Sequence, residues 1–416
     1  MVFLQKGQMI TYVDYLSQNL NNKSETDVIY FDFSKAFDSV NHDIILKKLK
    51  EQYDINGYLL QFIKEYLKDR KQAIIIDGKF SSFSSVQSGV PQGSILGPLL
   101  FVLFINDIVN VISKDTNILL YADDMKIFRE IRCANDHTTL QSDIDSLEHW
   151  AQVNKMIFHP DKCKVLHCSL KHNHSNGERQ YTLGNTPLDP TYEEKDLGVI
   201  ILPNLKWNRQ HTKLLNKASQ KLGLLRRNCS FSNNTNHRRI LYLAIIRSQF
   251  EHCSQIWRPV SKTHIEKFEA RQKKGIKWIL NENFCYYSKE QYFDKLKSLD
   301  ILPLDQKFDM NDLVLFHRIF YFPTPFLKLP NYLIQNNTRD QTSVYATRSS
   351  ENSDDLQFKC NVFPRIDNFK HQFFYRAFEK WNALPFEIRE MYNPAIYKTK
   401  LKEHLWTLAE YTIVVI

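Results

Sequence analysis

The alternation of apolar and polar residues changes period several times along the chain. Residues 28–33 (Val-Ile-Tyr-Phe-Asp-Phe) are rich in β-branched and aromatic side chains and predict a strand. From Asn41 the spacing turns helical through Ile44, Ile45, Lys48 and Leu49, with Asn41 placed to cap. Residues 72–77, followed by Gly78, predict a strand and turn, and 88–93 predict a Gly/Pro loop. Ser94 can cap a helix running through Phe101 to Asp107, with Pro98 in its first turn. Two apolar runs, 117–122 and 125–128, flank Asp123 and Asp124 and predict a hairpin with acids at its tip. Over 139–154, Leu140, Ile144, Leu147 and Ala151 share one helical face.

Residues 172–177 form a polar connector, and beyond about residue 206 the composition shifts. Over 206–280 there are seventeen Lys and Arg against three acids, Glu251, Glu266 and Glu269, a net of +14. The whole chain of 416 residues carries only +9, so the remainder is −5. Lys213, Lys217 and Lys221 recur at helical spacing beside Leu214, Leu215, Leu222 and Leu225. Further helical patterns cover 237–249, 264–280 and 369–381, and a polar stretch occupies 336–355. A basic band of this size fits a polyanionic partner.

Composition narrows the class. The chain is 43% hydrophobic and 24% charged, which is ordinary for a globular protein and excludes a disordered or fibrous one. Seven scattered cysteines in a chain this long read as reduced thiols, not a disulfide framework, which places the protein inside the cell. The longest apolar run, 95–105, is interrupted by Gly97 and Pro98 and is too short to span a bilayer, so no membrane partner is expected. Cys163, Cys168, His172 and His174 loosely suggest zinc, but their spacing is not that of a zinc finger.

The chemistry concentrates in Asp32, at the end of the first strand, and in Asp123 and Asp124 at the hairpin tip. Apolar strands would hold these carboxylates at one sheet edge, where their repulsion calls for divalent cations. Hard oxygen ligands suit Mg²⁺ or Mn²⁺. Alone, an Asp-Asp pair arises about once by chance in a chain of this length. Order decides the matter: Asp32-Phe33-Ser34-Lys35-Ala36-Phe37-Asp38, Gly89-Val90-Pro91-Gln92-Gly93-Ser94, Tyr121-Ala122-Asp123-Asp124, His159-Pro160-Asp161-Lys162-Cys163 and Asp196-Leu197-Gly198 follow one another.

These five blocks resemble the reverse transcriptase family. The Asp-Phe-Ser-Lys-Ala-Phe-Asp block and the alanine in Tyr-Ala-Asp-Asp are similar to the non-LTR retrotransposon branch, especially jockey-like elements. The likeness extends to residues 374–385. It implies an α+β right-hand polymerase, with palm and partial fingers over 1–202, a basic helical thumb over 203–284 and a C-terminal helical region over 285–416. It implies RNA-directed DNA polymerisation with two Mg²⁺ (or Mn²⁺) ions, an RNA template, a DNA primer and dNTPs. Asp32, Asp123, Asp124 and the Phe33 carbonyl would hold the metals, and Lys162 would protonate the leaving pyrophosphate. Phe37 would exclude the 2′-hydroxyl, with Gln92 and Gly93 beside the incoming nucleotide. Alone, Phe37 would read as a core residue and Lys162 as a surface lysine. Arg70 matches a template-side segment and Gly198 the turn of a primer-grip hairpin. Lys213, Lys217, Lys221, Arg226 and Arg227 would track the duplex backbone.

Thirty-one residues precede Asp32, fewer than the family's finger motifs occupy, so the expectation is an N-terminally truncated polymerase with Gln5-Lys6-Gly7-Gln8 as a finger remnant. A fragment that binds RNA or RNA–DNA duplex without turnover is the alternative. A group II intron maturase, which shares the Tyr-Ala-Asp-Asp tetrapeptide, is disfavoured by the C-terminal segment. Target-primed synthesis implies the nucleus, while oligomeric state is not legible.

Overall fold

The computed structural model describes residues 2–170, 179–229, 234–282, 285–325, 327–336 and 356–414. His172 and His174 lie outside the described residues, as do the connector 172–177 and most of the polar stretch 336–355. The chain divides into two compact units, Lys23–Glu194 and a second made of Met1–Asn22 with Lys195–Ile416. The mixture of a sheet with many helices is the expected α+β class.

The first unit is built on a five-stranded sheet. Its strands are β1 (Glu25–Phe31), β2 (Asn117–Tyr121), β3 (Asp124–Ile131), β4 (Lys164–Cys168) and β5 (Asp189–Thr191), in the order β5-β4-β1-β3-β2. All neighbours are antiparallel except β5 on β4. β1 is central, which is why it reads as a nearly continuous apolar run. Four helices of this unit are α2 (His42–Glu51), α3 (Gly57–Leu67), α4 (Leu96–Ile105) and α5 (Ala134–Val153). Ile29 and Phe31 of β1, Ile127 of β3 and Val165 of β4 join Phe101 and Phe104 of α4 and Leu140, Ile144 and Leu147 of α5 in one core. Asn41 caps α2 as expected, its Oδ1 accepting from the Ile44 amide at 3.1 Å. Helix α5 starts five residues earlier than the apolar spacing indicates, because Asp136 and Cys133 close a capping box at its start.

Buried polar groups tie these elements together. Lys48 of α2 donates to the Phe104 carbonyl and to Asp107, both at 2.8 Å, and Trp150 of α5 donates to the same Asp107 at 3.1 Å. Burial lowers the Lys48 pKa, against the opposing pull of Asp107. In β1, Asp27 is fully buried and accepts from His167 and from the Tyr181 hydroxyl, each at 2.7 Å. Burial alone would push this carboxyl up; His167, Arg179 and Tyr181 outweigh it and hold it below the usual range. The expected strand over 72–77 forms instead as short exposed pairs, Lys71–Gln72 with Ser84–Ser85 and Ile75–Ile76 with Lys79–Phe80.

In the second unit, the first twenty-two residues pack with 195–416, whereas the sequence reading grouped them with the sheet. Helix α1 (Val2–Asn21) buries Met9, Tyr12, Val13, Leu16 and Leu20. Asn21 closes it onto the far end of the chain, donating to the Phe363 carbonyl at 3.1 Å and accepting from the Arg365 amide at 2.7 Å. Other elements of this unit are the hairpin β6 (Glu194–Asp196) and β7 (Val199–Ile201), and helices α6 (Asn208–Asn228), α7 (Lys262–Ile279), α8 (Leu304–Tyr321) and α9 (Phe373–Asn382). Arg258 is buried among Asp305, Asp309 and Asp312 of α8, and Arg376 of α9 donates to Asp312 at 2.8 Å. Among the described residues no helix is long and apolar enough to cross a membrane.

One buried acid of α1 sets a pH dependence. Asp14 accepts from the Tyr332 hydroxyl at 2.5 Å and from Gln18 at 2.8 Å, and Gln372 donates to that hydroxyl at 2.7 Å. Burial pushes the Asp14 carboxyl up to about 7, although both hydrogen bonds act to lower it. The folded state therefore binds this proton more tightly than the unfolded chain. Its stabilisation is complete below about pH 4 and is lost as pH rises to about 7. Asp14→Asn should remove that slope and raise stability at pH 8 by on the order of 1–3 kcal/mol. Urea unfolding from pH 4 to 8 checks it; a variant that keeps the wild-type slope refutes the assignment.

Candidate active site

The register of the sheet brings the acids to one end. Phe31 pairs with Met125, so Asp32, the next residue, stands opposite Asp124 in the continuing register. Tyr121 pairs with Asp124, leaving Ala122 and Asp123 as a two-residue turn. Ala122 takes φ +55, a left-handed conformation costly for a residue with a Cβ. The strained turn sets Asp123 and Asp124 at the exposed tip, while Asp32 is half-buried. The three carboxylates share a sheet end but do not converge on a common point. Among the described residues no group of three or more His, Cys, Asp and Glu side chains is gathered to hold a metal ion.

Residues 157–163 brace the strand end that carries Asp32. The His159 amide donates to the Asp32 carbonyl and the Ser34 amide to the Ile157 carbonyl, each at 2.8 Å. Phe33 is buried, its ring stacked 4.4 Å from that of Phe158. The same segment turns through Pro160–Lys162 and places the Lys162 ammonium 3.5 Å from the Asp32 carboxylate, with both partly exposed. Lys162 thus meets one of the acids that the sequence grouped it with. Cys163 is buried, and burial pushes its thiol up to about 11. That is the behaviour of a packed thiol, not of a ligand or nucleophile.

The loop 88–93 is stitched to the segment after β1. Gly89 and Val90 donate to the carbonyls of Val40 and Phe37 at 2.8 and 2.9 Å, and the Ser88 hydroxyl donates to the Asp38 carbonyl at 2.9 Å. His42 Nε2 donates to the Gly89 carbonyl at 2.9 Å, and Gln92 Nε2 donates to the Asp38 carboxylate at 3.1 Å. The Phe37 ring stacks on Phe101 of α4 at 4.4 Å and is half-buried. The ring is therefore packed on one side and not fully enclosed. Gly93 has φ +79 with open space where a Cβ would be. Ser94 accepts from the Gly97 amide at 2.9 Å, which is the expected cap of α4.

The remaining candidates are carried by other elements. Arg70 is half-buried at the base of the exposed hairpin, its carbonyl accepting from the Val86 amide at 2.8 Å. Gly198 (φ +91) and Leu197 (φ +44) make the tight turn between β6 and β7. The Leu197 carbonyl accepts from His252 at 3.2 Å and Gln5 at 3.3 Å, and His252 lies against Gly198 where a Cβ would come within 3.3 Å. On α6, Lys217, Arg226 and Arg227 are exposed, while Lys213 and Lys221 are half-buried. Lys221 reaches the Ile245 carbonyl at 3.5 Å. The basic band is not wholly outward-facing, for Arg238, Arg247 and Arg258 are buried in internal bonds.

Asp38, His42 and Ser88 are residues that sequence reasoning missed. Their signal was indirect: a glycine inside Ser-Gly-Val-Pro-Gln-Gly asks for a close backbone neighbour, and the polar side chains flanking it are what anchor that neighbour.

A family model described as reverse transcriptase (RNA-dependent DNA polymerase) matches residues 3–221, more than half of the chain. The chain belongs to the reverse transcriptase family. Among similar relatives, the RNA-directed DNA polymerase from mobile element jockey of Drosophila funebris is 27% identical over 292 residues, covering 66% of this chain and 31% of the relative. The jockey polymerase of Drosophila melanogaster is 25% identical with the same coverage, and the probable RNA-directed DNA polymerase from transposon BS is 24% identical over 274 residues, 64% of this chain and 30% of the relative. This reverse transcriptase chain spans about a third of the length of the curated relatives it matches. Among solved structures, telomerase from Candida tropicalis in complex with a fragment of telomeric RNA aligns with a TM-score of 0.37 and 12% identity, covering 73% of this chain and 50% of that one.

The geometry of the 88–93 loop gives a direct stability test. A Cβ on Gly89 would lie 2.8 Å from the Asp38 Cα, at a φ of +92. Backbone cannot yield there as a flexible side chain would. Gly89→Ala should cost about 2–4 kcal/mol, read as a lower urea midpoint. An unchanged midpoint would show that the two segments are not clamped.

Proposed function

We propose that this chain is the catalytic portion of an RNA-directed DNA polymerase of a jockey-like non-LTR element, adding deoxynucleotides to a DNA 3′-end on an RNA template. The observation that carries the reading is the shared sheet end of Asp32, Asp123 and Asp124, with Lys162 and the 88–93 loop bound to the same strand exit. Their donor chemistry fits Mg²⁺ or Mn²⁺, since all three offer hard carboxylate oxygens. Asp123 and Asp124 are exposed, so their side chains have room to change rotamer. Asp32, Asp123, Asp124 and the Phe33 carbonyl would hold two ions; when bound, these supply charge neutralisation and an activated 3′-hydroxyl.

The chain's own residues do the rest. Phe37, only half-buried, would stand against the sugar and leave no room for a 2′-hydroxyl. Gly93 lets the backbone approach the nucleotide closely. Lys162 holds an ammonium proton beside Asp32, within reach of a departing phosphate oxygen. The exposed cations Lys217, Arg226 and Arg227 offer a sequence-tolerant hold on a nucleic-acid backbone. Partners would be an RNA template, a DNA primer and dNTPs, in the nucleus.

Extension of a labelled DNA primer on an RNA template with Mg²⁺ or Mn²⁺ tests the reading. Wild type should extend, and Asp123→Asn should lose on the order of a thousandfold or more in rate while still binding duplex. Equal inactivity of both, with binding intact, would favour a binding fragment without turnover. Replacing Lys217, Arg226 and Arg227 together by Ala should reduce the slope of log affinity against log salt by about 2–3. An unaltered slope, measured by fluorescence anisotropy on a primer–template duplex, removes this helix from the interface.

A further inference from the structure

Four of the five hydrogen bonds between the 37–42 segment and the 88–92 loop end on loop backbone or on Ser88, and they fix the path of the loop. The fifth, from Gln92 Nε2 to the Asp38 carboxylate at 3.1 Å, fixes a side chain. Gln92 is exposed, and Gly93 beside it opens onto free space. An exposed glutamine would otherwise sample several rotamers. A carboxylate only accepts, so the amide nitrogen must be the atom turned toward Asp38. That choice leaves the amide oxygen as the hydrogen-bonding end directed elsewhere. Asp38 also follows Phe37 directly, so one short stretch of backbone carries both the ring and the acid. Asp38 itself is held by its own backbone: its amide donates to the Lys35 carbonyl at 2.9 Å and its carbonyl accepts from Ser88.

We propose that Asp38 is a positioning residue for the incoming deoxynucleotide, orienting the Gln92 carboxamide so that its oxygen faces the substrate and coupling it to the Phe37 ring. The proposal rests on the polymerase reading above. Asp38 does not touch substrate; it acts through Gln92. Losing it frees one side chain and leaves the loop backbone bonds in place, so the effect belongs in substrate affinity and not in turnover.

Two readouts on the full chain test it. Asp38→Ala should raise the KM for dNTP about tenfold, the worth of one hydrogen bond to a charged group, with kcat within about twofold. Gln92→Ala should do the same, and the double variant should be no worse than either. Asp38→Asn keeps an acceptor oxygen and should restore most of the affinity. Additive single effects, or a fall in kcat with KM unchanged, overturn the proposal. The second readout needs no activity. In chain labelled with ¹⁵N-glutamine, the Gln92 side-chain amide resonance, assigned by its loss in Gln92→Ala, should stand apart from those of solvent-exposed glutamines. It should join them in Asp38→Ala and stay apart in Asp38→Asn. A wild-type resonance already at the exposed position, or one unmoved in Asp38→Ala, overturns the contact. A wild-type chain that extends no primer overturns the polymerase reading, and the resonance then decides the contact by itself.

Discussion

The antiparallel register of β1 on β3 is the constraint on which the rest of the first unit depends. Side chains in a strand alternate faces, so a slip of one residue would send Asp32 to the opposite face from its partners. Two features hold β1 itself in place. Five further pairs to β4 bracket β1 on its other side, and Asp27 in the middle of β1 is locked to His167 directly across on β4. A buried carboxylate with dedicated donors is costly to displace, because any other register would leave it unpaired. This hydrogen-bonded pair, remote from the candidate site, holds β1 in register with β4.

Beyond the strand end, control passes from sheet pairing to local clamping. Between Asp32 and α2 the only regular piece is a 3₁₀ turn, Ala36–Asp38, yet the segment is held on two sides: by 157–159 at Asp32 and Ser34, and by 88–92 at Phe37, Asp38 and Val40. Each clamp uses a residue without freedom to spare. Phe33 fills its site against Phe158, and Gly89 is the residue that admits the Asp38 backbone at van der Waals distance. Irregular backbone held this way can present several functional groups from one short stretch, which a strand or helix with its fixed period cannot.

Much of this was legible in the sequence where one local rule decides the outcome. The Asn41 cap, the Ser94 cap and the α5 face from Leu140 to Ala151 each follow from local spacing, and so does the hairpin, although its two-residue turn falls on Ala122 and Asp123, one residue earlier than the pair of acids indicates. The grouping of Asp32, Asp123 and Lys162 was legible only through motif order, since it joins segments far apart in the chain. What escaped depended on partners remote in sequence. The place of helix α1 with 195–416 is set by Tyr332, Phe363 and Arg365, more than three hundred residues away. The 70–86 segment alternates well enough for strands, but its Ile74, Ile75, Ile76 and Phe80 are exposed. Propensity alone could not say that these side chains stay on the surface.

Charge shows the same division between local and remote causes. Summed over 206–280, the excess of Lys and Arg reads as one basic surface. The structure separates it into two populations. Arg238, Arg247 and Arg258 face inward, and Arg258 alone engages three aspartates of α8 whose spacing puts them on one helical face. Arg258 neutralises acids counted in the negative remainder, so a net charge computed by segment overstates the field that a ligand meets. The cations that matter to a polyanion are the exposed ones, among them Lys217, Arg226 and Arg227 on α6. A planar guanidinium suits the buried role because its fixed fork of donors can satisfy several acceptors at once, whereas the long flexible ammonium of Lys217 loses little by remaining in water.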